Sequence, residues 1–179
     1  MPTFVTHALA GAAIAQMLGP CSRRGRITAT AAVCAMLPDL DVIGLGYGVP
    51  YESLFGHRGF THSLLFAGII AIAVAVPFWN RKKPGESWQA LTCLFLATAS
   101  HGILDALTNG GLGIAFLAPF DDTRYFFAVT PIEVSPLSAR AFLTLRGVSV
   151  LWSEIGWVWC PALVVTVLAR LTRCQTSAV

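Results

Sequence analysis

Apolar residues gather into five long runs, at residues 4–18, 27–46, 63–79, 89–107 and 148–168, with polar breaks between them. Runs of this length predict helices rather than strands. A helix that spans a bilayer needs about 20 apolar residues, within a range of roughly 17–25. The third and fifth runs meet that easily. The first is short and rich in Ala and Gly, which suits a partly inserted or protein-buried helix. The breaks differ in kind. Residues 20–26 carry Arg23, Arg24 and Arg26, and residues 80–87 carry Arg81, Lys82 and Lys83 beside the helix breakers Pro84 and Gly85. The tail after the fifth run adds Arg170 and Arg173. In an up-and-down arrangement these basic stretches share one side, which the positive-inside rule makes cytoplasmic. Arg58, Arg124, Arg140 and Arg146 fall on the other side. The connection at 108–147 is too long for a plain loop. Its glycines, prolines and spaced aromatics predict an ordered lid at the membrane interface.

Composition sharpens this picture. Of 179 residues, 55% are hydrophobic and only 12% charged, against about 25% charged in ordinary soluble domains. Mean hydropathy is +0.68. These values predict one all-α, membrane-embedded domain over 1–179, a bundle of four or five helices with a long interfacial lid. A net charge of +3 gives no reason to expect a nucleic-acid partner. Cys21, Cys34, Cys93, Cys160 and Cys174 form no CxxC pair and are expected to be packed or free thiols. Residues 4–18 lack a basic leader and contain His7, so they are expected to be structure rather than a cleaved signal.

The scarce polar residues fall at particular ends of the runs. His7 lies near the start of the first. Asp39 and Asp41 lie toward the end of the second, His57 and His62 at the start of the third, and His101 and Asp105 near the end of the fourth. Starts of odd runs and ends of even runs face the same side, so all seven residues are expected to converge, away from the basic loops. His101 and Asp105, four apart on a helix, share a face. Imidazoles and carboxylates are ordinary zinc ligands, and manganese and iron accept the same mixture. A divalent ion would also compensate carboxylates placed in apolar surroundings.

Other polar residues have plainer readings. His7 alone could be an interfacial residue, Asp39 a turn residue after Leu37–Pro38, and Thr61 a cap of the third run. Asp121 and Asp122 suit a solvated turn, Arg124 could meet a phosphate, and no partner is evident for Glu133 or Glu154.

Four stretches carry a resemblance: 6–11 (Thr-His-Ala-Leu-Ala-Gly), 37–41 (Leu-Pro-Asp-Leu-Asp), 57–63 (His-Arg-Gly-Phe-Thr-His-Ser) and 100–108 (Ser-His-Gly-Ile-Leu-Asp-Ala-Leu-Thr). With the tract 110–137 they resemble the YdjM family of bacterial inner-membrane proteins, described as metal-dependent hydrolases. Beyond Leu137 only helix-like similarity is expected. The family is similar at a distance to zinc-dependent phospholipases C and fungal single-strand nucleases. The resemblance implies metal-ligand roles for His7, Asp39, Asp41, His57, His62, His101 and Asp105. This chain is shorter and has fewer histidines than those enzymes, so one or two metals are expected rather than three.

The function expected is metal-dependent hydrolysis of a phosphoester, from a lipid or another small molecule, at the membrane surface. Asp39 or Asp41 would be the general base where it is not a ligand, and Arg58 would hold a phosphate or pair with Asp39 or Asp41. The location expected is the bacterial inner membrane, multi-pass, with the site on the periplasmic face. The alternatives are a transporter, whose site would lie nearer the bilayer midplane, and a metal that only ties helices together, which would leave no open coordination position.

Overall fold

A computed structural model describes residues 1–136 and 138–175, apart from the side chains of residues 139 and 173–175. Leu137 and the side chains of Arg173 and Cys174 therefore lie outside the described residues. Among those described, the chain is all-helical, with two isolated β-bridges and no strand.

The bundle is built from α1 (Phe4–Leu18), α2 (Arg24–Met36), α4 (Leu64–Ala75) and α5 (Pro84–Ala106), with the short α3 (Val42–Gly46) beside the site. Its core consists mostly of small side chains: Ala15, Ala31, Ala71, Ala90 and Ala97 are buried around Ile27, Phe78 and Leu94. Small residues let helix backbones approach closely, the usual solution where neighbouring surfaces are apolar all round. Gly11 shows how closely. A Cβ there would lie 2.6 Å from the Ala31 carbonyl oxygen and 2.7 Å from Ala35 Cβ.

Local sequence sets the helix ends. Pro38 cannot donate to the α-helical ladder and crowds the preceding turn, so α2 stops at Met36 and the chain tightens into a 3-10 turn, Leu37–Asp41. Three residues per turn put Asp39 and Asp41 about 240° apart. A second 3-10 turn, Phe60–His62, leads into α4, whose cap is Ser63 rather than Thr61: Ser63 Oγ accepts the Phe66 N–H at 3.1 Å. Pro84 opens α5 at a position where its missing N–H costs nothing. The two basic loops meet, since Ser22 donates to Glu86 at 2.5 Å and Arg23 donates to the Pro77 carbonyl at 2.9 Å.

The long connection is ordered. Ile114 and Ile132 are buried, Ile114 bridges Tyr125 antiparallel, and Thr108 bridges Ile132. The Leu64 N–H donates to Phe116 O and the Ala115 N–H to Arg58 O. Tyr125, Phe126 and Phe127 are half exposed and Phe120 is 86% exposed. After the short α6 (Ala139–Phe142), α7 (Leu145–Glu154), a π turn (Ile155–Trp159) and α8 (Cys160–Gln175) run as one helix that packs on α1.

Two helical stretches, Cys21–Gly46 and Leu145–Thr172, are long and apolar enough to cross a membrane. The third apolar run is not. It forms only Leu64–Phe78, because Pro77 and the polar loop after it end the helix. Among the described residues, Cys34 and Cys93 are buried and Cys21 and Cys160 are exposed.

Candidate metal centre

The first turns of α1 and the turn before α4 meet the ends of α2 and α5. This brings five of the seven expected ligands face to face. The His7 ring stacks on His101 with centroids 3.7 Å apart, and both rings are fully buried. His7 Nε2 lies 3.4 Å from Asp105 Oδ1 and 4.0 Å from Asp39 Oδ2. His101 Nε2 lies 3.2 Å from Asp39 Oδ1, and His62 Nε2 is 3.6 Å from Asp105 Oδ2 and 3.8 Å from Asp39 Oδ1. Donor atoms of Asp39, His62, His101 and Asp105 all fall within 4.8 Å of one another.

Two observations make this arrangement fit a divalent cation. Both oxygens of Asp39, both of Asp105 and both nitrogens of His7 are buried without a hydrogen-bond partner. Such groups are costly unless a cation or a proton compensates them. The outer nitrogens of two rings are also anchored. The His101 Nδ1–H donates to the Ala35 carbonyl at 2.8 Å, and His62 Nδ1 faces Asp41 Oδ2 at 3.2 Å. Each ring thereby turns Nε2 inward, and the two Nε2 atoms stand 3.0 Å apart. Outer partners of this kind fix the tautomer and orientation of metal-binding histidines. Burial alone would lower the pKa of His62, but the facing carboxylates of Asp105, Asp39 and Asp41 outweigh it and raise the value to about 10. Without an ion, His62 carries the compensating proton.

Asp41 and His57 stand one layer further out. Asp41 Oδ1 accepts from His57 Nδ1 at 2.6 Å, while Oδ2 accepts from Thr61 Oγ1 at 2.5 Å and from the Arg58 N–H at 3.3 Å. Asp41, His57 and His62 are also spaced to hold an ion, but Asp41 and His57 already satisfy each other.

Arg58 pairs with Asp105, not with Asp39 or Asp41. Its Nε is 3.3 Å from Asp105 Oδ2, NH1 donates to Gly110 O at 2.6 Å, and NH2 donates to Thr108 Oγ1 at 3.1 Å. The side chain is 1% exposed, so its nitrogens serve the protein rather than a free phosphate. Arg58 also has a φ of 69°, an uncommon left-handed conformation for a residue with a side chain. That conformation allows the backbone N–H to reach Asp41 while the guanidinium reaches Asp105.

A cavity of about 390 Å³ opens beside this layer, lined by Tyr51, His57, Arg58 and Leu112 among others. Arg124 spans the outside of the loop, donating to the carbonyls of His57, Tyr51, Glu52 and Ser53 at 3.2–3.4 Å. It is thus a brace rather than a phosphate contact. Asp121 caps an exposed turn through the Thr123 N–H, as expected of a solvated residue. Glu154, without a partner in the sequence reading, is buried and accepts from Thr3 and Thr6. Its signal was a lone carboxylate inside the fifth apolar run.

Residues 1–177 match the family described as YdjM inner membrane protein. The chain belongs to that family. The YdjM match extends well past Leu137, where only helix-like similarity was expected. Inner membrane protein YbcI of Escherichia coli (strain K12) is 38% identical over 165 residues, covering 91% of this chain and 94% of its own. Uncharacterized protein YvsG of Bacillus subtilis (strain 168) is 35% identical over 97 residues, covering 50% of this chain and 56% of its own. No solved structure matches. The YdjM family and YbcI are inner membrane proteins by name, in keeping with the apolar composition and the two candidate spans.

Proposed function

We propose that this YdjM protein is a membrane-bound, metal-dependent hydrolase that cleaves a phosphoester, of a lipid or another phosphorylated small molecule, at the membrane surface. One observation carries the reading: His7, Asp39, His62, His101 and Asp105 converge, and neither inner carboxylate has a hydrogen-bond donor. Three imidazoles and two carboxylates suit zinc, with manganese and iron as alternatives. Such an ion, when bound, lowers the pKa of a water and offsets charge on phosphoryl oxygens.

The remaining residues support the chemistry from behind. Asp41 holds His57 through Nδ1 at 2.6 Å, which leaves His57 Nε2 free to take a proton at the cavity wall. The hydrogen bonds thus favour His57 over Asp39 or Asp41 as general base, because Asp41 is saturated and Asp39 faces the metal donors. Arg58 holds Asp105 and offsets one unit of the centre's negative charge.

In this reading Cys21–Gly46 and Leu145–Thr172 cross the inner membrane, α1, α4 and α5 run alongside them between the same two faces, and the protein is multi-pass. The joined basic loops lie in the cytoplasm, and the centre lies toward the periplasmic face. Lipids surround the helices, and the exposed aromatics of the lid sit at the interface.

The burial of four of the five donors favours a second reading, in which the ion only ties helix ends together. The test is metal analysis of purified protein, followed by hydrolysis of phosphomonoesters, phosphodiesters and phospholipids with and without chelator. Bound metal with chelator-sensitive cleavage is expected. Metal without cleavage of any substrate would leave the structural reading, and a protein that takes up no metal would overturn both.

A further inference from the structure

Glu154 is the only carboxylate in the helix from Leu145 to Gln175, and it is fully buried. It meets the first turn of α1. Oε1 accepts the Thr3 N–H at 2.5 Å, and Oε2 accepts the Thr3 and Thr6 hydroxyls at 2.6 Å each. Thr3 is the N-cap of α1, yet its own side chain caps nothing. Glu154 thus holds the N-cap N–H, a contact that in a capping box comes from a Glu or Gln at the third helical position, here occupied by Thr6.

The π turn makes a second contact possible. Immediately after Glu154 the helix widens over Ile155–Trp159. In a regular α-helix, residues five apart point about 140° away from each other. A π turn closes from i to i+5 and brings them onto one face. Glu154 and Trp159 therefore reach the same atom: the Trp159 Nε1–H donates to Thr6 Oγ1 at 2.6 Å while Thr6 donates to Glu154. Thr6 is held from both sides.

The residue after Thr6 is His7. Neither ring nitrogen of His7 has a hydrogen-bond partner, so no outer contact orients it as Ala35 orients His101 and Asp41 orients His62. Its place depends on the α1 backbone and on the stack with His101. We propose that Glu154, acting with Trp159 across the π turn, is the positioning residue that sets His7 in the centre. It couples the Leu145–Thr172 helix to the metal donors. The consequence for metal affinity rests on the metal reading above; the positioning itself does not.

The experiment compares wild type with Glu154→Ala, Glu154→Gln, Trp159→Phe, His7→Gln and the Glu154→Ala/His7→Gln double variant, each checked for helicity. Cobalt titration gives affinity. Ring-¹⁵N-labelled histidine gives the environment of each of the four histidines without metal, with His7 assigned from His7→Gln. Glu154→Ala should weaken cobalt binding about as much as His7→Gln, and the double variant should be little worse than either, as expected of coupled residues. Glu154→Gln, which keeps an acceptor for the Thr3 N–H, should retain most affinity. Wild-type affinity in Glu154→Ala, or a loss that adds to that of His7→Gln, would overturn the proposal. If wild type binds no cobalt, the metal reading fails. The histidine signals then decide: a His7 signal moved by Glu154→Ala upholds the positioning role, and an unmoved one refutes it. Should Glu154→Ala not fold, Trp159→Phe removes a single N–H and carries the same comparisons.

Discussion

Asp105→Asn isolates charge from shape. Asp105 is fully buried, with His7 Nε2 at 3.4 Å, Arg58 Nε at 3.3 Å and His62 Nε2 at 3.6 Å. Asparagine keeps the volume and one acceptor for Arg58 but removes a full negative charge beside the ion. At an effective dielectric of about 20, two unit charges 4 Å apart interact by about 4 kcal/mol. A divalent ion doubles that, while the nearby Arg58 guanidinium, already part-neutralised by Asp105, becomes a net repeller of the ion. Backbone relaxation and the remaining amide oxygen recover part of the loss. A net cost of about 4 kcal/mol follows, close to a thousandfold in Kd. The assay is competition for zinc against a chelator of known affinity, on detergent-purified protein. Leu104→Ala, one position away and half-buried, is the control and should bind as wild type does. A Kd for Asp105→Asn within about threefold of wild type would refute the ligand assignment.

Other outcomes follow from neighbouring geometry. His57→Gln should keep its metal and lose hydrolysis, since His57 bonds to Asp41 rather than to the inner donors; loss of metal, measured by elemental analysis, would return His57 to the ligands. Metal binding should release a proton from His62, whose pKa is raised from 6.5 to about 10, so apparent zinc affinity should rise about tenfold per pH unit between pH 7 and 9; a pH-independent Kd would contradict this. In the metal-free protein the same shift stabilises the fold, fully below about pH 6.5 and progressively less as pH climbs toward 10, which thermal melts across that window would detect. Gly11→Val should destabilise the bundle by at least about 1–3 kcal/mol, given a Cβ only 2.6 Å from the Ala31 carbonyl oxygen; an unchanged melting temperature would deny the close α1–α2 crossing. Cysteines placed at positions 81–83 should be labelled only from the cytoplasmic side, and periplasmic labelling would invert the orientation.

The parts legible in the sequence are those set by helix phase. His101 and Asp105 share a face because they lie four apart on a long helix, and the alternation of run starts and ends brings His7, Asp39 and His62 to meet them. What escaped was set by departures from α-helical geometry. The 3-10 turn that contains Pro38 splits Asp39 from Asp41, sending one inward and the other to His57. The left-handed backbone at Arg58 redirects its guanidinium to Asp105. The π turn brings Trp159 to the Thr6 that Glu154 holds, and no spacing rule for α-helices would find that pair. The third run was overrated as a span because its apolar count ignored Pro77.

The donors enter the centre from segments far apart in the chain, and this orders the protein's synthesis. His7, Asp39 and His62 leave the ribosome well before His101 and Asp105, which close the inner set from the end of α5. A nascent chain that stops short of α5 has one inner carboxylate instead of two, and lacks the ring on which His7 stacks. If the centre holds an ion, its complete donor set exists only once α5 has joined the bundle, so tight binding would come with the finished fold rather than on the nascent chain.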